Sequence, residues 1–194
     1  KSTFLNLLHK NFSSSNNAIL YESEDLKKLS NSKYSQDIYF ISQRVSIPWF
    51  KISVKDYLYK KIKSYKHLTN PDKKLNHIVR TMKLKNYLDS DFRKLSDGEQ
   101  RWVEIAAAIA CDTKILLIDG FGQYLGVEKI NILSRILYKK INYDGVTVIV
   151  ATHVRERLSK IASVFIRLDY GKIVSVRSSH KKSFQKKKTY RDKK

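Results

Sequence analysis

The chain has 194 residues, 42% of them hydrophobic, which is enough for one sizeable core and by length argues for one domain. Its longest apolar runs, such as Ile105 to Cys111, fall far short of the roughly 18 residues that a membrane-spanning helix needs, and its single cysteine, Cys111, excludes an internal disulfide; both predict a soluble chain in a reducing compartment. The formal net charge of +21 would draw the chain toward phosphate-rich polymers or anionic lipid, or else reflects a bias toward Lys, Asn, Ile, Ser and Tyr with few Gly and Pro.

In chain order, Lys1 to Leu8 pairs a Lys-Ser-Thr start with Phe4, Leu5, Leu7 and Leu8, the pattern of a mostly buried helix. Asn17 to Glu22 and Asp37 to Ser42 are short apolar runs of strand length bounded by Ser and Asn clusters. From about Val54 to Lys94 the pattern turns helical, most clearly where Leu75, Ile78, Val79 and Met82 share one face behind an Asn70-Pro71-Asp72 start. A further helix is predicted from Gly98 to Ala110, with Cys111 a small core residue at its end. It leads into Lys114 to Asp119, a continuous apolar strand of the kind covered on both faces, and Val146 to Thr152 reads as a second one. Val164 to Leu168 and Lys172 to Val176 flank Asp169-Tyr170-Gly171 as a hairpin. From Arg177 the basic run Lys181, Lys182, Lys186, Lys187, Lys188, Arg191, Lys193 and Lys194 repels itself and predicts a flexible tail over 177–194.

Lys1-Ser2-Thr3 before an apolar helix matches the end of a phosphate-binding loop, in which the lysine reaches the β and γ phosphates and the neighbouring hydroxyl binds magnesium. Alone, the tripeptide reads as an ordinary exposed helix start. Asp119 would place a carboxyl group at the carboxyl edge of a parallel sheet, where ligands of open α/β sheets bind, or would simply begin a turn before Gly120.

Leu95-Ser96-Asp97-Gly98-Glu99-Gln100 decides between these readings, because it resembles the Leu-Ser-Gly-Gly-Gln signature of the ATP-binding cassette (ABC) ATPases, and the likeness continues through Arg101, Val103, Ile105, Ala106 and Ala108. Lys1, Gln43 (the Q-loop glutamine), Ser96, Asp119 and His153 (the switch histidine) then follow in the family's order, at intervals of 42, 53, 23 and 34 residues. The resemblance covers Lys1 to about Val176. It implies an α/β phosphate-loop NTPase fold, a RecA-like parallel-sheet core over 1–50 and 96–176 with an inserted helical subdomain over about 51–95.

The resemblance also implies ATP and magnesium as cofactors. Lys1, Ser2, Thr3, Gln43, Asp119 and His153 would serve the chain's own nucleotide, with Ser2, Gln43 and Asp119 toward the metal and Gln43 and His153 taking part in hydrolysis. Ser96, Asp97, Gly98 and Glu99 would face the γ-phosphate of a nucleotide held by a second ABC subunit, identical or, as favoured here, a paralogue. His9, His67, His77 and His180 are read as structural or surface residues.

The sequence departs from the family after Asp119, where Gly120 replaces the glutamate that polarises the attacking water; weak hydrolysis at this chain's own site follows. The signature is altered at Asp97 and Glu99, and Phe121 to Gly126 keeps only Leu125 of the loop that crosses to the other subunit. The glycines of the phosphate loop and the adenine-stacking aromatic are expected upstream of Lys1. The implied role is the ATP-binding subunit of an ABC transporter, cytoplasmic and peripheral on the inner membrane face beneath separate membrane-spanning subunits. The alternative is a soluble ABC protein with a scaffold, mechanical or nucleic-acid-associated role, its basic tail touching anionic lipid or RNA.

Overall fold

Ser2–Leu8 forms helix α1 in the computed structural model, which describes residues 1–153, 158–159 and 161–178. The expected strand over 17–22 shrinks to β1 (Leu20–Tyr21), which pairs antiparallel with β2 (Glu24–Asp25). Glu22 and Ser23 both take positive φ, 49° and 69°, so the chain reverses where the apolar run still reads as extended. Helix α2 (Asn31–Asp37) is started by Ser30, whose hydroxyl accepts from the Lys33 amide, and it runs directly into β3 (Ile38–Ile41).

Helices α3 (Val54–Lys63) and α4 (Pro71–Thr81) occupy the predicted helical stretch. Ser53 and Asn70 cap them by accepting from Asp56 and Lys73 amides, and Pro71 stands at the first helical position, where its missing N–H costs nothing. Leu75, Ile78 and Met82 are buried as their spacing requires. Two short 3-10 turns, Lys85–Tyr87 and Phe92–Lys94, lead to α5 (Asp97–Ala110), whose residues from Gln100 onward are buried on every side. The alanines Ala106, Ala107, Ala108 and Ala110 let β3, α3 and α4 all approach this one helix, and Cys111 beyond it is fully buried.

Strand β4 (Ile115–Asp119) follows, then α6 (Val127–Asn142), an unanticipated helix burying Ile130, Leu133 and Leu137, and then β5 (Thr147–Ala151). The three longer strands form a parallel sheet in the order β3-β4-β5, so β4 is central and its last four residues are buried. Ile41 lies opposite Ile118, and Asp119 opposite Ala151. All three strands therefore end at one edge, with Gln43, Asp119 and His153 at or just past their tips. Among the described residues β5 is an edge strand, exposed at Thr147, half-buried over Val148 to Val150 and buried only at Ala151, so its apolar run does not have the cover on both faces that the sequence predicts. Leu5, Leu26, Tyr34, Ile38, Leu117 and Ala151 form the core on one side of the sheet.

The chain divides into two compact units, Lys1–Val154 and Arg155–Lys194, where the sequence places one ATP-binding domain as far as 176. The second contains the expected hairpin, β6 (Val164–Asp169) and β7 (Lys172–Ser178), turning at Tyr170 and Gly171 with φ of 43° and 77°. Arg177 and Ser178 belong to β7; residues 179–194 of the basic tail, His180 included, lie outside the described residues.

Just ahead of the signature, Asp91 accepts from the Arg93 amide, Nε and, at 2.8 Å, Nη2, and these bonds hold its carboxylate at about 2. An unfolded aspartate titrates near 3.9, so this stabilisation is present above about pH 4 and is lost as pH falls toward 2. Asp91→Asn is expected to flatten that acid-dependent loss, measured as urea unfolding between pH 4 and 2.

Candidate nucleotide-binding site

The carboxyl edge of the sheet brings together some of the side chains that the sequence singled out. Lys1, preceding α1, extends Nζ to the Thr152 carbonyl at 3.0 Å and to Nδ1 of His153 at 3.2 Å. Residues 152 positions apart are thus joined by the cation that would carry a phosphate. Asp119 closes the neighbouring strand and is buried, at 6% exposure, while Ser2 and Gln43 are exposed. Thr3 is exposed on the first turn of α1.

The described residues include no group of three or more His, Cys, Asp and Glu able to hold a metal by themselves. One buried carboxyl, one hydroxyl and one amide make a poor cage for a bare ion. They suit magnesium, which keeps octahedral oxygen coordination by sharing one or two carboxylates with nucleotide phosphates. The donor set therefore fits a magnesium nucleotide better than a free metal.

The signature residues form a separate group at the start of α5. Glu99 accepts from the Ser96 hydroxyl at 2.6 Å and from the Ser96 amide at 2.9 Å, and these two bonds, the hydroxyl's first, lower its pKa. Glutamate at this altered position therefore closes a capping box around the helix start. Ser96 and Asp97 are exposed. Gly98 is required by contact: a Cβ there would lie 2.5 Å from the Tyr124 carbonyl oxygen. This joins the signature to the loop following β4.

That loop is unusual backbone. Gly120, Gly122 and Tyr124 all have positive φ, at 72°, 77° and 60°. The Gly120 and Phe121 amides both donate to the Ala151 carbonyl, at 3.0 and 3.2 Å. A Cβ on Gly120 would fall 2.2 Å from Gln123 Oε1, an oxygen that is buried without a hydrogen-bond partner. The glycine is therefore more than a missing acid, since Gln123 fills the space that a side chain at 120 would need.

Arg101 has a role that spacing alone did not reveal. Its guanidinium, 2% exposed, donates to the Ser42 carbonyl through Nη1 and to the Asp119 carbonyl through Nη2 at 2.5 Å. The available signal was a charge inside a helix stretch otherwise read as core. His67 Nε2 donates to the Cys111 carbonyl, and His9 and His77 pair with Asn11 and Thr81 nearby in the chain.

The sequence model of the ABC transporter family matches residues 1–120. The chain belongs to this family. Among curated ABC proteins it is similar to the methionine import ATP-binding protein MetN of Lactobacillus johnsonii, 30% identical over 103 residues, spanning 53% of this chain and 30% of that protein. The chain spans less than half the length of the curated relatives that it matches. Among solved structures, an ATP binding subunit of an ABC transporter superposes with a TM-score of 0.82 at 18% identity, over 92% of this chain and 73% of that one. A dimeric ATP-binding cassette in a post-hydrolysis state, bound to ADP and Pi, gives 0.79 at 20% identity, over 91% and 79%. These likenesses establish the ABC cassette fold, with its parallel sheet and mixed α/β architecture.

Proposed function

We propose that this chain is the ATP-binding part of an ABC transporter, coupling ATP binding and partner-assisted hydrolysis to transport through separate membrane subunits. The observation that carries the reading is the meeting of Lys1 with Thr152 and His153 on the sheet edge that ends in Asp119. Lys1 and His153 would hold the nucleotide phosphates by charge and hydrogen bonding, Asp119 and Ser2 would hold magnesium, and Gln43 would reach the metal and the attacking water. Magnesium would neutralise phosphate charge and orient the phosphates when bound.

With Gly120 offering no proton acceptor, hydrolysis on this chain's own nucleotide would lack general-base assistance, typically about 10²–10⁴ in rate. The exposed start of α5 remains free to complete a second subunit's site, which favours a paralogous partner carrying an intact acid. No described helix is long and apolar enough to cross a membrane. A surface suited to contact with membrane subunits follows Gln43, where Ile47, Trp49 and Phe50 are exposed, Trp49 at 89%.

Co-purification of the chain with its natural partner tests the reading. ATP turnover by the pair is expected, and Ser96→Arg, which blocks the helix start offered across the interface, is expected to abolish it while leaving fluorescent-ATP binding to this chain intact. Full turnover by this chain alone would refute the weak-site reading.

A further inference from the structure

We propose that Arg101 is a positioning residue for magnesium, fixing the strand ends that present Gln43 and Asp119 and tying them to the signature helix. The inference rests on the nucleotide-binding reading above and adds a residue to it.

The last paired residues of β3 and β4 at this edge are Ile41 and Ile118. Beyond them the ladder stops, and Arg101 takes over: one arm of its guanidinium holds the carbonyl of Ser42, the other that of Asp119. Both acceptors are main-chain oxygens, so what the arginine fixes is the path of two peptide units. Gln43 hangs from the first of those units and the Asp119 carboxyl from the second. A planar guanidinium presents its donors at a set separation, so it can hold two carbonyls at a fixed distance. Lysine carries a point charge on a flexible stem and has no such fork.

Arg101 also lies five residues after Ser96, on the same helix. A shift of the helix start when a second subunit docks would move the guanidinium, and with it the two strand tips. The link is short: five residues of one helix and two guanidinium hydrogen bonds.

The experiment measures affinity for a fluorescent ATP analogue in magnesium and in EDTA, for the full chain and for Arg101→Lys and Arg101→Gln. Expected is a loss of about 10-fold or more in the magnesium-dependent gain in affinity, the size seen when groups supporting metal ligands are removed, with magnesium-free affinity little changed. Arg101→Lys, which keeps the charge, should show the same loss, because the fork is what matters. An unaltered magnesium gain in either variant would overturn the proposal. So would a parallel loss of both affinities, as general unfolding would give. A wild-type chain with no magnesium-dependent nucleotide binding would remove the nucleotide-binding reading as well, which separates the two failures.

Discussion

Gly120→Glu, the substitution that would rebuild the family's catalytic acid, is expected to leave the chain's own hydrolysis undiminished in its defect and to lower its stability. Glycine at 120 has φ of 72°, and forcing a side chain into the left-handed region costs about 1–2 kcal/mol. The new Cβ would also meet Gln123 Oε1 at 2.2 Å and its carboxamide carbon at 2.8 Å. The Gln123 carboxamide, whose Oε1 is buried, would have to swing aside. A glutamate introduced under those conditions would not project as one does from a relaxed backbone.

The informative variant is therefore the double, Gly120→Glu with Gln123→Ala, which clears the space. Single-turnover hydrolysis with radiolabelled ATP should stay at the wild-type level in the single variant and rise in the double. Full rescue by Gly120→Glu alone would mean that the loop rearranges freely. The lesion would then be a missing carboxylate and nothing more.

The second large effect is expected at Glu104. Its carboxyl group lies in the seam between the sheet and helix α3, accepting from the hydroxyl of Tyr39 on β3 at 2.9 Å and from that of Tyr57 on α3, with Lys61 Nζ at 3.6 Å. Lys61 also lies over both tyrosine rings, and Tyr57 stacks on Phe92 with centroids 4.2 Å apart. Burial, followed by Glu104, raises both tyrosine pKa values, so both phenols remain donors near neutral pH.

Glu104→Ala would strand two buried hydroxyls and remove the partner of Lys61. A loss of about 3 kcal/mol in unfolding free energy is expected, measured by urea titration. Glu104→Gln keeps one acceptor and should cost less than half of that. Equal, small losses in the two variants would show that the polar seam contributes little.

What could be read from the sequence were features carried by local pattern. The apolar positions of α4 follow a helical periodicity, the run Ile115 to Ile118 has strand length and composition, and an aspartate ending such a strand must lie at the sheet edge. The chain reversal at Glu22 and Ser23 was hidden because it uses positive φ without the glycine or asparagine that usually announces it. The half-exposure of β5 was hidden for another reason: apolar composition records what a strand can bury, while its position at the edge depends on chain topology. Arg101, Gly98 and Gln123 were visible as letters but not as contacts, because each acts on a partner from another element. Gly98 shows this well, since the carbonyl that excludes a side chain from it belongs to Tyr124, 26 positions on.

The central placement of β4 has a consequence for the order in which the molecule opens. Leu116, Leu117 and Ile118 are paired on both sides and nearly inaccessible to water, so their amide protons should be among the last to exchange with deuterated solvent. Exchange at β5, which among the described residues is paired on one side only, should run ahead of them. Asp119 thus stands at the tip of the slowest-opening segment, while His153 follows a faster one. Thermal fluctuation is then expected to release His153 long before it disturbs the Asp119 carboxyl group.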